Sequence, residues 1–91
     1  MKTNFIFDSA NLDQLPPGAE AVVCSVDIAG PVGRRLIDLG LRPETKIRVM
    51  RRAPLGDPTI YELRGYQLCL RRTEASQVRV RSVGTKPPEA P

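Results

Sequence analysis

The chain contains no histidine and no tryptophan, and it has only two cysteines, two phenylalanines and two tyrosines. Without histidine, neither a Ser/His/Asp nor a Cys/His catalytic arrangement can be assembled, and no phosphate-cradling G-x-x-x-x-G-K-[ST] loop replaces them. A soft-metal site would also need more nitrogen or sulfur donors than one such chain offers. Cys24 and Cys69 belong to no C-x-x-C pair, so no redox motif or secreted disulfide framework is present, and both read as core or surface fillers. The longest apolar run, Ala21-Val22-Val23-Cys24, falls far short of the roughly 20 residues that span a bilayer, and the N-terminus has no signal-peptide core. These absences predict a non-enzyme with no cofactor and no metal site, without direct membrane insertion, resident in a reducing cytoplasm.

What is present is aliphatic and basic. Of the 91 residues, 41% are hydrophobic, mostly Val, Leu and Ile, enough for one domain with one modest core. The net charge of +4 is unevenly spread: the first 33 residues carry −3, whereas residues 34–81 carry +7. Eleven of the fourteen basic residues are arginine, which makes planar bidentate contacts to carboxylate or phosphate. One surface should therefore seek anions.

Along the chain, residues 1–10 and 83–91 show no core pattern and read as weakly ordered ends flanking a domain at 11–82. Asn11-Leu12-Asp13-Gln14 has the spacing of a capping box and supports a single helical turn. From Ala19 to Ile28 the β-branched residues slip in parity, which predicts a bulged or strongly bent first strand. Pro31, then Val32, Leu36 and Leu39 at i, i+4 and i+7, then Gly40 as a left-handed cap, define one short helix. Ile47 and Val49 alternate with Lys46, Arg48 and Met50 in a second strand, and Thr59, Tyr61 and Leu63 share one face of a third. Arg64-Gly65-Tyr66 turns the chain into a fourth strand with Leu68 and Leu70 on one face and Gln67, Cys69 and Arg71 opposite. Thr73–Gln77 can form one capped turn before a final strand in which Val78 and Val80 alternate with Arg79 and Arg81. The expected fold is mainly β: a small five-stranded barrel with one short inserted α-helix.

The connection between the second and third strands, Ala53-Pro54-Leu55-Gly56-Asp57-Pro58, is unusually stiff. Each proline holds the residue before it extended, and Pro54 with Gly56 fits positions i+1 and i+3 of a type I turn. Leu55 is its one large apolar side chain. If Leu55 tucks under the sheet, the loop is a rigid crossover, the reading favoured by the tendency of apolar loop residues to close cores; if it projects, it is a preorganised anchor for a partner.

Four blocks together carry a family resemblance: Leu15-x-Pro17-Gly18; Arg35-Leu36-x-Asp38-Leu39-Gly40-Leu41-x-Pro43; Ala53 to Pro58; and Leu68-x-Leu70-Arg71-Arg72-x-Glu74-Ala75. In order and spacing they resemble the ferrous iron transport protein A (FeoA) family over residues 12–81. The resemblance implies an SH3-like barrel in the bacterial cytoplasm, an accessory to the membrane-embedded ferrous iron transporter FeoB, which has a cytoplasmic GTPase domain. One departure is Pro43-Glu44, where the family usually has Pro-Gly. The expected partner-binding surface is Pro54, Leu55, Gly56 and Asp57, rimmed by Arg52, Arg71 and Arg72, on a monomer or weak homo-oligomer that binds FeoB transiently. The alternative is a basic nucleic-acid-binding module using Arg48, Arg51, Arg52, Arg71, Arg72, Arg79 and Arg81. Scarce stacking aromatics weigh against it, and the scattered carboxylates Asp27, Asp38, Asp57, Glu62 and Glu74 read as surface ion pairs.

Overall fold

The structure, a computed structural model, describes residues 9–26 and 31–83. The expected end of the first strand at Ile28, the carboxylate Asp27 and most of both chain ends lie outside the described residues. Among the described residues six strands form one antiparallel sheet: β1 (Ala10–Asn11), β2 (Glu20–Val26), β3 (Lys46–Arg52), β4 (Thr59–Leu63), β5 (Tyr66–Leu70) and β6 (Val78–Ser82). Their spatial order is β1-β6-β2-β3-β4-β5. The five anticipated strands are all present in an SH3-like arrangement, and the two-residue β1 adds a sixth by pairing Ala10 with Val80. So short a strand leaves no periodicity to read.

Alternation decides which side of each strand faces in. Ile47 and Val49 of β3, Thr59, Tyr61 and Leu63 of β4, and Val78 and Val80 of β6 are buried together with Leu12, Leu15, Leu36, Leu41 and Leu70. The parity slip in β2 is a bulge between Val23 and Ser25, and β3 carries a second between Val49 and Arg51. Each bulge sharpens the local twist that curls the sheet around its aliphatic core.

The helix α1 (Pro31–Asp38) ends as its sequence dictates. Gly40 takes φ 113°, its N–H donates to Ile37 O at 3.0 Å, and the Leu41 N–H donates to Leu36 O at 3.1 Å, a Schellman arrangement. A Cβ on Gly40 would lie 2.7 Å from the hydroxyl of the exposed Tyr66 ring, which would have to move aside, but it is the positive φ that favours glycine there. Val32 departs from expectation: it is 44% exposed, while Leu36 is buried. The apolar stripe meets the core only in the C-terminal half of the helix, and the first turn overhangs a surface groove.

Two local turns complete the frame. The Asn11 N–H donates to Gln14 Oε1 at 2.8 Å at the start of a 3-10 turn, Leu12–Gln14, whose Leu12 is buried. At α2 (Arg72–Ala75) the Arg71 N–H donates to Glu74 Oε1 at 2.9 Å, the reciprocal half of a capping box. The Arg35 guanidinium on α1 reaches the other oxygen of Glu74 at 2.9 Å and ties the two helices together.

Candidate functional site

The loop after β3 is held at three points. The Ala53 N–H donates to Pro58 O at 2.9 Å and the Gly56 N–H donates to Ala53 O at 2.7 Å, closing the expected turn. Asp57 Oδ1 accepts from the Arg72 N–H at 2.8 Å, which fastens the loop to the first residue of α2. Gly56 sits at φ 93°, and the Asp57-Pro58 peptide is cis. From this clamp Leu55 projects with 96% of its surface exposed. The buried-crossover reading of Leu55 is thereby corrected: the turn leaves its side chain in solvent, and the buried aliphatic core is formed without it.

The seven expected surface residues do not form one patch. Leu55, Gly56, Asp57 and Arg72 cluster, with an Arg72 guanidinium nitrogen 3.7 Å from where a Cβ on Gly56 would stand. Pro54 faces instead into a groove of about 470 Å³ lined by Arg51, Arg52, Ala53, Pro58, Ile60 and Cys69. Arg52 is half-buried and its guanidinium is spent internally, donating to Leu15 O at 2.8 Å and to Thr59 Oγ1 at 3.1 Å. It splints the base of the loop to the turn before β2. Arg71 is exposed but lies across α2, on a second groove shared with Val32, Arg35, Glu74 and Gln77.

Electrostatics separate solvated arginines from structural ones. Arg81, expected on the polar side of the last strand, is 7% exposed. It donates to Glu44 Oε1 at 2.9 Å and Oε2 at 3.3 Å, and lies 3.8 Å from Cys24 Sγ. Glu44 occupies the left-handed region at φ 72°, a conformation that non-glycine residues rarely adopt, so the left-handed turn at Pro43-Glu44 is made by a glutamate. The hydrogen bonds and charge of Arg81 hold the Glu44 carboxyl below its usual range, and Glu44 raises Arg81 in return. The Arg71 N–H, with help from Arg35, similarly lowers Glu74. Burial pushes the Tyr61 phenol up, so it stays protonated at neutral pH.

Both cysteines are free, Cys24 half-buried and Cys69 exposed, on strands separated by β3 and β4. Among the described residues no group of three or more cysteine, aspartate or glutamate side chains converges as a metal site would require, and no described helix is long and apolar enough to cross a membrane. Sequence reasoning missed the Arg81–Glu44 pair and the groove over Ile60 and Cys69; the Pro43-Glu44 departure was the available signal for the first.

A small SH3-like barrel with a clamped, projecting loop is the class of protein that fold and site define. The FeoA domain family matches residues 10–82, and the chain belongs to that family. The FeoA protein of Chlorobium tepidum is 42% identical with a TM-score of 0.75, over 80% of this chain and 70% of that one. The Stenotrophomonas maltophilia FeoA, a procaryotic SH3 domain protein solved complexed with zinc, is 31% identical with a TM-score of 0.70, over 77% and 87%. A Fe(2+) transport protein A/Fe(2+) transporter FeoB fusion protein of Porphyromonas gingivalis (strain ATCC BAA-308 / W83) is 30% identical over 80 residues, 88% of this chain. The chain spans about a tenth of that fusion protein's length. Its family is thus one of ferrous iron transport, with bacterial members.

Proposed function

We propose that this chain is a cytoplasmic accessory module of ferrous iron uptake that docks on the cytoplasmic GTPase side of a FeoB-type transporter and performs no chemistry of its own. The observation that carries this reading is Leu55, fully presented to solvent on a loop pinned by Ala53, Gly56 and Asp57. A side chain held out on a rigid turn loses little entropy when a partner covers it, and Arg72 beside it supplies a charged rim. The fusion relative supports the choice of partner, since it joins the two components in one polypeptide. The small surface around one leucine favours transient binding.

The nucleic-acid alternative draws less support, because two of its seven arginines, Arg52 and Arg81, turn inward to protein acceptors. The deciding experiment is a pull-down with the cytoplasmic domain of FeoB, with and without guanine nucleotide. Wild-type chain is retained; Leu55→Asp is lost from the complex while its circular dichroism and thermal midpoint stay unchanged. Retention of a folded Leu55→Asp variant would overturn the docking site, and tight binding to unrelated oligonucleotides at physiological salt would overturn the partner.

A further inference from the structure

The sheet has two edges of very different kind. β1 is two residues long, whereas β5 runs for five residues, Tyr66–Leu70, and among the described residues pairs only with β4. The β4–β5 turn is the two-residue Arg64-Gly65, both at positive φ. Such a turn makes the closing pair Leu63/Tyr66 a hydrogen-bonded one, and every second pair after it: Tyr61/Leu68 and Thr59/Leu70. The peptide groups of Gln67 and Cys69 therefore face away from β4, and both residues are exposed.

Proteins usually blunt such an edge with proline, a bulge or a charge. Tyr-Gln-Leu-Cys-Leu contains no proline and no charge, and its pairing with β4 is without a bulge. Positive charge stands instead at both ends, Arg64 before the strand and Arg71-Arg72 after it, with Glu62 the one acidic side chain in Thr59–Leu70. The exposed face beside the edge carries the groove over Ile60 and Cys69, with Arg51 on its lining.

We infer that β5 is a strand-addition site for an extended segment of a partner protein, apolar in its middle and acidic at its ends. Main-chain hydrogen bonds to Gln67 and Cys69 supply affinity, an apolar side chain enters the groove at Ile60 and Cys69, and carboxylates meet Arg64 and, on the groove's lining, Arg51. A second copy of this chain is the wrong occupant on charge grounds: antiparallel pairing centred on Leu68 would set Arg64 of one copy against Arg72 of the other. The site is separate from Leu55 and does not depend on the identity of the partner proposed above.

The test is amide hydrogen exchange on the full chain with the synthetic peptide Glu-Glu-Val-Thr-Val-Thr-Glu-Glu at millimolar concentration. The Gln67 and Cys69 amides should slow by about tenfold, the worth of one net hydrogen bond, and lysine in place of every glutamate should remove the effect. Gln67→Pro should abolish the protection and keep the fold, because the lost N–H makes no bond to β4. Should that variant unfold, the wild-type exchange pattern with the two peptides still decides. Unchanged exchange at Gln67 and Cys69, equal slowing by the lysine peptide, or protection in the free chain that grows with its own concentration would each overturn the proposal.

Discussion

The strand β3 enters from the Arg42–Thr45 turn and leaves into the Ala53–Pro58 loop, and each connection contains a proline and a residue in the left-handed region, Glu44 at φ 72° and Gly56 at φ 93°. Their side chains go opposite ways. The first turn is absorbed into the sheet: the Glu44 N–H donates to Val23 O, the Val23 N–H donates to Thr45 O, and the Glu44 carboxylate closes on Arg81. The second is fastened only at its feet, and its apolar residue is left outside. Equal stiffness therefore serves two ends, holding the barrel together at one end of β3 and presenting a side chain at the other.

Substitutions should separate the two turns by their effect on folding. Arg81→Ala carries the largest expected loss, about 2 kcal/mol in urea unfolding, because it removes a covered side chain and two hydrogen bonds to Glu44. A loss no larger than that of a surface substitution would mean that the first turn is not structural. Asp57→Ala should cost about 1 kcal/mol, since the Arg72 N–H at the start of α2 loses its acceptor. The loop's feet, unlike its tip, would then show up in stability.

Glu74→Gln should cost roughly 0.5 to 1 kcal/mol at neutral pH, as expected for a partly exposed pair that links α1 to α2. Its folded-state carboxyl is lowered, so the contribution is complete above the ordinary value of 4.5 and is lost as pH falls through the lower folded-state value. Acid titration followed by circular dichroism should show the wild-type and Glu74→Gln curves converging below that range; a gap that persists in strong acid would point to packing instead. The smallest effect on folding belongs to Leu55→Asp, within about 0.5 kcal/mol of wild type, because the side chain touches solvent on nearly every side. A clear loss of stability there would erase the contrast between the two turns.

Much of the fold was legible because its signals are local. The Pro31 start and Gly40-Leu41 stop of α1, the Arg64-Gly65 turn and the β2 bulge each lie within a few neighbouring residues, where backbone sterics alone decide the outcome. Val32 and Arg81 read differently in space because their surroundings are set by distant elements: Val32 overhangs a groove formed with α2, and Arg81 meets Glu44, 37 positions away. The candidate loop was visible from its prolines, but the expected rim of Arg52, Arg71 and Arg72 was too broad: Arg52 turns inward to Leu15 O and Thr59, and Arg71 lies on the groove beside α1. Long arginine side chains choose acceptors across the fold, and sequence spacing carries no record of that choice.

By itself, then, the order of residues determined a basic, aliphatic, histidine-free barrel of the FeoA family, including the stiffness of its proline-bracketed loop, since composition, turn chemistry and strand alternation act at short range. Only the tertiary structure decided that Leu55 points outward, that Glu44 takes a left-handed turn beside a covered arginine, and that β5 keeps an edge unpaired among the described residues. Each depends on which distant surfaces packing brings together, and a side chain's exposure is a property of that assembly and not of its neighbours along the chain.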